Sequence, residues 1–147
     1  MAGQVVSNYD PKKVILTFGG VPITGFTEGT FIGIAANDSD AFKKKVGADG
    51  EVGRAQSNDN THNVTITLMQ SSASNDYLSN IFNADRLSGT QMLPLSITDL
   101  NGKSLRSWPQ AWIKGDPNWD FAKELSDRQW VLDTGQAATN VNGGLIP

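Results

Sequence analysis

The sequence predicts a mainly β protein with one α-helix, and three local patterns carry this prediction. Two short apolar segments flank Gly19 and Gly20, a dipeptide that supplies the positive φ angles of a two-residue hairpin turn. Residues 63–70 alternate apolar and polar side chains, with the period of two expected of a strand that has one buried face. Asn101 and Gly102 give a second, stronger hairpin signal between two further apolar segments.

The remaining strands are placed by the apolar segments between these turns. Strands are predicted at residues 14–18, 21–26, 29–36, 63–70, 92–99, 105–113 and 128–133. Pro22 has no amide hydrogen to donate, so we expect its strand to start at an edge or to pair on one side only. Trp108 and Trp112 would share one face of a regular strand, but Pro109 between them favours a bulge.

The one convincing helix is predicted at residues 75–87. Ser74 or Asn75 is the expected N-cap, Asp76 suits the positive end of the helix dipole, and Gly89 ends the helix. An apolar stripe should pack this helix on the sheet, and core packing explains it better than a cofactor site does. The stripe consists of Tyr77, Leu78, Ile81 and Phe82.

Length and composition favour a single domain over residues 1–147. A chain of 147 residues buries enough surface to fold without disulfides, and this chain has no cysteine. The formal net charge of -3 argues against a protein that grips phosphate backbones. The first residues lack a basic stretch followed by an apolar run, and no later segment has 18 consecutive apolar residues. We therefore expect neither a cleaved secretion signal nor a membrane span.

Residues 40–60 form the most informative segment because they are long, charged and rich in glycine between two predicted strands. Loops beyond about 12 to 15 residues are usually functional or disordered. The segment combines apolar anchors with charged side chains, so a partner could bury the first and pair with the second. These residues are Phe42, Val46 and Val52 among Lys43, Lys44, Lys45, Asp49, Glu51 and Arg54. A solvated hairpin on a lone domain remains the alternative.

Residues with catalytic or ligand chemistry are scarce. His62 is the only histidine, so a histidine base or triad would have to centre on it, and the lack of cysteine disfavours zinc. The carboxylates Asp38, Asp40, Asp49 and Glu51 do not have the spacing of a calcium loop.

Two further patterns are equally weak. The glycines at 47, 50 and 53 lack the lysine-serine ending of a phosphate loop. Asp116 and Asp120 could flank a sugar bond, but acidic residues in turns are ordinary. The sequence therefore predicts no catalytic residue, no cofactor and no metal site, and we expect the protein not to be an enzyme.

The four tryptophans allow two interpretations. Exposed aromatic side chains form sugar-stacking platforms and interface hot spots, whereas buried ones belong to the core. Burial in the core or in an interface is favoured for most of Trp108, Trp112, Trp119 and Trp130. A carbohydrate-binding β-sandwich module remains the alternative function.

Several segments together resemble the tail tube proteins of contractile-tailed bacteriophages. They are residues 23–26, 29–32, 47–52, 54, 57–59, 64–68, 74–76 and 94–100, with the sequences ITGF, GTFI, GADGEV, R, SND, VTITL, SND and PLSITDL. Each motif is structural and weak alone, but their order and spacing extend along nearly the whole chain. The resemblance implies an antiparallel β-sandwich or barrel-like subunit with one flanking helix, similar to the tubes of type VI secretion systems. Such subunits form hexameric rings that stack into a hollow tube.

The resemblance also implies partners and a location. The partners are further copies of the chain, a tail sheath protein, a tape measure protein, and baseplate and tail terminator proteins. DNA would pass through the lumen without specific binding. The protein would be found in the tail of the virion after assembly in the host bacterial cytoplasm, although a bacteriocin or another injection machine could use the same kind of subunit.

On this interpretation, residues 40–60 reach a neighbouring subunit or the next ring. Phe42 and Val46 are the expected anchors, and the lysines at 43, 44 and 45 should face acidic groups. Thr65 and Thr67 are candidates for the lumen wall. The side chains of this wall should be polar or acidic, because lysine or arginine would bind the phosphates and hold the DNA. Residues 134–147 are small, polar and glycine-bearing, and are predicted to be an arm or disordered.

Overall fold

The computed structural model describes residue 6 and residues 8–144, which form one large antiparallel β-sheet, a separate β-hairpin and one α-helix. The large sheet contains β1 (Val14–Phe18), β2 (Val21–Pro22), β3 (Ile32–Ala36), β6 (His62–Met69), β7 (Leu93–Asp99), β8 (Leu105–Ile113), β9 (Asp127–Thr134) and β10 (Thr139–Val141). The hairpin consists of β4 (Phe42–Val46) and β5 (Val52–Gln56), and the helix α1 spans Ser74–Ser88. A single 3-10 turn at Pro11–Lys13 precedes β1. The predicted mainly β fold with one helix is confirmed.

The large sheet curls into a barrel-like shape. Its strand order is β2-β1-β7-β8-β9-β6-β3, and β10 pairs with β8. The segment after β2 joins two distant strands, because the Ile23 amide donates to the Leu16 carbonyl of β1 (2.9 Å). Two residues later the Gly25 carbonyl accepts from the Met69 amide of β6 (2.8 Å). These bonds bring opposite parts of the strand order together around one core.

The core lies between the concave face of the sheet and the helix. Along β6, alternate residues from His62 to Leu68 are buried, as the period of two predicts. The helix contributes Leu78, Ile81 and Phe82 to the same core, and Tyr77 donates its hydroxyl hydrogen to the Phe18 carbonyl (2.7 Å). The predicted apolar stripe therefore packs on the sheet.

The first predicted hairpin is confirmed, but its second strand is short. Gly19 and Gly20 have φ angles of 63° and 81°, and they connect β1 to the two-residue strand β2 at the sheet edge. The predicted strand over 21–26 ends early because the chain turns away toward β6 at Gly25, whose φ is 80°. Gly29 also has a positive φ (79°), so the strand predicted over 29–36 begins only at Ile32.

The second predicted hairpin, at Asn101 and Gly102, is also present. β7 and β8 are antiparallel neighbours, but Gly102 does not take a positive φ angle. The Asn101 side chain is buried and clamps the segment before β1. Its amide donates to the Asp10 carbonyl (2.9 Å), and its oxygen accepts from the Asp10 amide (2.9 Å). The hairpin prediction is therefore confirmed, and Asn101 connects its turn to the segment before β1.

The helix ends where predicted but begins differently. Gly89 takes the left-handed conformation (φ 68°) as the C-cap, whereas the N-cap is Ala73, which makes no side-chain cap bond. Ser74 accepts instead from the Thr24 amide (2.9 Å). Asn75 accepts from the indole nitrogen of Trp130 (3.0 Å). The residues predicted as N-caps thus fasten the helix to the barrel.

The bulge predicted at Pro109 is present in β8. Leu93 pairs with Ala111 and Leu95 pairs with Trp108, so β8 has one more residue than β7 between these pairs. The extra residue changes which side of the sheet each side chain faces. Trp108 is buried, and Trp112 is half-buried on the other face, paired with Asp133.

The carboxy-terminal segment pairs with the sheet over three of its residues. Thr139–Val141 form β10 and pair antiparallel with residues 105–107 of β8. The expectation of disorder from residue 134 onward is therefore wrong for β10, and β9 itself extends to Thr134. The end of the predicted arm, residues 145–147, lies outside the described residues, as do residues 1–5 and 7.

Candidate assembly surfaces

The segment at 40–60 contains a β-hairpin in which every strand residue is exposed. Its register runs from Phe42 opposite Gln56 to Val46 opposite Val52. The turn is closed by the Gly47 amide, which donates to the carbonyl of Glu51 (2.7 Å), and it uses Gly50 with a φ of 89°. All ten strand residues are exposed, in contrast to the alternating burial along β6. We call residues 42–56 the exposed hairpin.

The two faces of the exposed hairpin differ in chemistry. Directly paired residues share a face, and alternate residues along a strand take opposite faces. One face therefore carries Phe42, Val46 and Val52 together with Lys44, Arg54 and Gln56. On this apolar face the Arg54 guanidinium lies 4.1 Å from the centre of the Phe42 ring.

The opposite face carries Lys43 and Lys45 beside Ala55 and Gly53. Asp49 and Glu51 lie in the turn, where the Asp49 carboxylate accepts from the Glu51 amide (3.1 Å). The structure thus brings the predicted anchors onto one face and places the acidic pair at the tip of the hairpin.

Two carboxylates fasten the base of the exposed hairpin. Asp38 accepts from the Ser57 hydroxyl (2.6 Å) and from the Asp40 amide (3.2 Å), and these bonds lower the pKa of Asp38. Asp59 accepts from the hydroxyl and the amide of Thr61 (2.5 and 3.0 Å), which lowers the pKa of Asp59 in the same way. Both groups stay ionised at neutral pH and fix where the two strands leave the barrel.

His62 has a structural role in the barrel rather than a place in an open cleft. It is buried, and its Nδ1 accepts from the indole nitrogen of Trp108 (3.1 Å). Its backbone amide donates to the hydroxyl of Thr134 (2.9 Å). Burial, and then the nearby positive charge of Arg106, lower the pKa of His62. The imidazole is therefore neutral at pH 7 and serves as an acceptor for a core tryptophan.

Thr65 and Thr67 lie on the convex face of the sheet, opposite the core. Their cross-strand partners on β9 are Val131 and Gln129. The register extends this surface, which we call the polar face, across the strands that the structure describes. Its other polar residues are Thr17, Asn63, Ser96, Thr98, Ser107, Asp127, Asp133 and Thr139. The described strands contribute no lysine or arginine to it, but Lys114, directly after β8, extends it, because the Lys114 amide donates to the carbonyl of Val131 (2.8 Å) and continues the β8–β9 register.

A second exposed apolar surface lies between β8 and β9. Trp119, Phe121 and Leu125 are 68%, 71% and 68% exposed, although large apolar side chains are normally buried. The Arg128 guanidinium lies 5.2 Å from the Trp119 ring centre and 5.6 Å from that of Phe121, so cation–π contacts hold both rings. The same segment carries Asp116, Asp120 and Glu124. We call residues 115–126 the aromatic loop.

The carbohydrate-binding interpretation requires exposed aromatic platforms, and two tryptophans do not provide them. Trp108 and Trp130 are buried, as predicted for most of the tryptophans, and Trp112 is half-buried. Trp119 is exposed, but its ring meets Phe121 edge-on at 84° instead of forming a flat surface with it. Two of the four tryptophans therefore belong to the core.

The described part of the chain offers neither a metal cluster nor a membrane-spanning helix. Residues 8–144 contain no group of three or more histidine or carboxylate side chains placed to hold a metal ion. Over the same range, α1 is too short and too polar to cross a membrane.

Comparison with known proteins identifies the family. A sequence profile described as "Bacteriophage PhiTE tail tube protein" matches residues 19–141, which is most of the chain. The chain belongs to this phage tail tube family. Structural protein ORF10 of Pseudomonas phage KPP10 is 31% identical over 140 residues, covering 90% of this chain and 80% of the phage protein. The resemblance to tail tube proteins is thereby confirmed, and the chain has a structural role in a tail tube.

Solved structures confirm the tail tube fold. The tube-terminating cap of the anti-feeding prophage superposes with a TM-score of 0.64 at 14% identity, over 96% of this chain and 97% of the cap protein. A chain of the sheath–tube complex of the extracellular contractile injection system PVC, in its extended state, gives a TM-score of 0.57 at 14% identity. That match covers 91% of this chain and 93% of the other. At this identity the likeness concerns the fold.

Proposed function

We propose that this tail tube family member is the repeating subunit of a tube through which phage DNA passes. In this proposal the copies form hexameric rings, and the rings stack to make the channel. The observation that carries the proposal is the exposed hairpin, an ordered strand pair that makes no sheet contact with its own barrel. Membership of the tail tube family supports the assembly of a tube, and the exposed hairpin is the segment that we expect to join its subunits.

The exposed hairpin is built to meet a partner. An isolated two-stranded hairpin is marginally stable in water, and this one also leaves Phe42, Val46 and Val52 roughly half-exposed or more. Each five-residue strand spans about 17 Å, so the hairpin has the length to reach a second molecule. Burying its apolar face against a neighbouring copy would stabilise the hairpin and would also remove these apolar side chains from water.

The barrel also has a strand that can pair with a neighbour. β3 ends the strand order of the large sheet, so one side of Ile32–Ala36 has no strand beside it among the described residues. The unpaired backbone groups of an open edge favour pairing with other chains. In a closed ring each edge pairs with one neighbouring copy, so no edge is left free to aggregate. The hexameric number follows from the resemblance to tube proteins.

The polar face suits the wall of a DNA channel. Its polar strand residues are mainly hydroxyl and amide side chains, and its charged strand residues, Asp127 and Asp133, outnumber the single adjoining lysine, Lys114. Apolar side chains such as Ile15, Trp112 and Val131 complete the face. Lysine and arginine contacts to phosphates would accumulate over many rings and hold the DNA, whereas carboxylates repel it. We therefore propose that Thr65 and Thr67 face the lumen and that DNA passes without specific binding.

The partners proposed for the tube come from its family and neighbours. The PVC neighbour belongs to a sheath–tube complex, which supports a contractile sheath around this tube. A tape measure protein would fill the lumen before DNA, and baseplate and terminator proteins would close the two ends. The protein would then reside in the tail of the virion after assembly in the host cytoplasm, with an architectural instead of an enzymatic role.

Charge reversal in the exposed hairpin tests the proposal. The wild-type chain should form hollow tubes visible by electron microscopy, and light scattering should rise with concentration. Changing the lysines at 43, 44 and 45 to glutamate should block tube growth, because all three are exposed and contribute to docking rather than to the core. Circular dichroism and the unfolding temperature should stay unchanged.

A matched control separates position from net charge. Lys12, Lys13 and Lys103 are also exposed, and changing them to glutamate alters the net charge by the same amount. This control should assemble as the wild type does. Normal tubes from the hairpin variant, or a wild-type chain that stays monomeric at every concentration, would overturn the proposal.

A further inference from the structure

The exposed hairpin and the aromatic loop lie at opposite ends of the subunit. β6 begins at His62, beside the base of the hairpin, and ends at Met69, which pairs with Asp127 directly after the aromatic loop. The Gln70 amide also donates to the Ser126 carbonyl (3.0 Å). An eight-residue strand spans about 26 Å, whereas the hairpin strands span about 17 Å. The hairpin is therefore too short to cover the aromatic loop of its own chain from the other end.

We infer that the exposed hairpin of one copy docks on the aromatic loop of the next copy. This inference rests on the proposed self-assembly and names the surface that receives the hairpin. Both surfaces expose large apolar side chains, which is typical of sites that bind another protein. Phe42, Val46 and Val52 form the apolar face of the hairpin, and Trp119, Phe121 and Leu125 form that of the loop.

The charges of the two surfaces are complementary. Lys44 and Arg54 lie on the apolar face of the hairpin, Lys43 and Lys45 add positive charge from its opposite face, and the acidic side chains of the hairpin lie in its turn. The aromatic loop carries Asp116, Asp120 and Glu124, with Lys123 as its one basic residue. Opposite charges around an apolar centre set the register of an interface and speed association, in a salt-dependent way.

The aromatic loop is also held ready for a partner. The Arg128 guanidinium lies against Trp119 and Phe121, and the Ser126 hydroxyl lies within hydrogen-bond distance of two acceptors, the Gln70 side chain (3.2 Å) and the Asp120 carbonyl. Fixing side chains before binding reduces the entropy lost on association. Tryptophan and arginine are enriched among residues that dominate binding energy, and this loop presents a tryptophan supported by an arginine.

Docking between opposite ends produces a head-to-tail polymer. The two surfaces of the contact are different, so the interface is heterologous, and each added copy presents a new free hairpin or loop. Such a contact continues without limit along one direction unless rotation closes it. Because the two surfaces lie at opposite ends of β6, we assign the hairpin-to-loop contact to the growth of the tube along its axis and not to the closure of a ring.

A charge swap tests the contact directly. The hairpin-swapped variant carries glutamate at 43, 44 and 45, and the loop-swapped variant carries lysine at 116, 120 and 124. Each variant alone should need at least about tenfold more protein to form tubes, since residue 44 then faces like charge directly and residues 43 and 45 give the hairpin the same sign of charge as the loop. Mixed in equal amounts, they should assemble near the wild-type concentration as an alternating polymer, because each acidic hairpin meets a basic loop and each basic hairpin meets an acidic loop.

The outcomes distinguish this inference from the proposed function. A wild-type chain that forms no tubes overturns the proposed function. Wild-type tubes together with normal assembly of the loop-swapped variant overturn only the hairpin-to-loop contact, as does a mixture that fails to assemble although both variants are folded. Thermal unfolding of each variant establishes folding before assembly is measured.

Cross-linking gives a second measurement that does not depend on the charge variants. The chain has no cysteine, so cysteines placed at Val46 and Leu125 are the only thiols present. A short bismaleimide should link copies into a ladder in assembled tubes and leave diluted protein unlinked. A control pair at Val46 and Lys12 should give no ladder. Equal ladders from the two pairs, or none from the first in assembled tubes, would contradict the contact.

Discussion

The large sheet and the exposed hairpin are both antiparallel β-structure, but they use their side chains in different ways. Along β6 every second residue from His62 to Leu68 is buried, whereas no residue of β4 or β5 is buried. A strand with one buried face is stabilised by its own domain, and a strand with none needs a partner for the same stabilisation. Substitutions in the sheet should therefore alter the free energy of unfolding, and those in the hairpin should alter assembly.

The largest loss of stability is expected when a buried tryptophan of the sheet is replaced. Trp108→Ala should lower the free energy of unfolding by about 3–5 kcal/mol, because it removes a fully buried ring and leaves His62 without its indole donor. Chemical denaturation measures this loss. Trp119→Ala is the matched control, and its exposed ring should change stability by no more than about 0.5 kcal/mol. Equal losses from both substitutions would contradict the assignment of the two regions.

The next largest loss of stability is expected in the segment after β2, which bonds to β1 through Ile23 and to β6 through Gly25. Gly25 has a φ of 80°, and a Cβ there would overlap the side chain of Ser72. Gly25→Ala should therefore cost about 2–4 kcal/mol, the sum of left-handed backbone strain and steric overlap. Gly29 has nearly the same φ, 79°, and a Cβ added there would meet nothing within 4 Å, so Gly29→Ala should cost only about 1–2 kcal/mol of strain.

Urea denaturation of both glycine variants gives the difference between them. That difference isolates the steric overlap, since the backbone strain is shared. If the two alanine variants were equally stable, the contact between Gly25 and Ser72 would not restrict the crossing, and the closure of the barrel there would be looser than described.

A smaller effect is a dependence of stability on pH that originates in the sheet. The pKa of His62 is lowered in the folded protein by burial and by Arg106, although Asp59 opposes this shift. The unfolded chain therefore binds a proton at a higher pH than the folded chain does, and stability is lost as pH falls below about 6.5, the ordinary pKa of histidine. Denaturation at pH 7 and pH 5.5 should show this loss.

A His62→Gln variant should lack that part of the pH dependence. The lowered pKa values of Asp38 and Asp59 act in a separate range, because their stabilisation is lost only as pH falls below their ordinary value of 3.8. A variant that loses stability between pH 7 and pH 5.5 as steeply as the wild type would show that another group is responsible.

Local signals in the sequence predicted the parts of the fold that are determined locally. The glycine pair at 19–20, the alternation along β6, the stop at Gly89 and the bulge at Pro109 each act through neighbouring residues. Long-range contacts determined the parts that were wrong. Ser74 bonds to Thr24, 50 positions away, so it does not cap the helix as expected.

The assembly surfaces were predicted less completely than the barrel. Three consecutive lysines have low β propensity, so the segment at 40–60 was recognised by its length and charge, and its two exposed strands were anticipated only in the alternative of a solvated hairpin. The aromatic loop was missed as a surface because Asp116, Asp120 and Trp119 were considered separately. Three large apolar residues among acidic ones, outside any predicted strand or helix, were the signal that could have identified it. β10 has only three residues and too little pattern to be detected.

The smallest effect on stability is expected for the apolar anchors of the exposed hairpin, and this prediction gives the clearest test of the difference between the sheet and the hairpin. Phe42 and Val46 are 48% and 57% exposed, so changing both to serine should alter the free energy of unfolding by less than about 1 kcal/mol. The same change removes the apolar anchors of the hairpin and should raise the concentration needed for tube formation at least about tenfold. Chemical denaturation and sedimentation of the same samples measure both quantities.

The control changes Val21 and Ile15, two exposed strand residues of the barrel, to serine and should leave assembly nearly unchanged. If the hairpin change destabilised the monomer by several kcal/mol, the hairpin would belong to the folding unit of its own barrel, and its exposed apolar face would need another explanation.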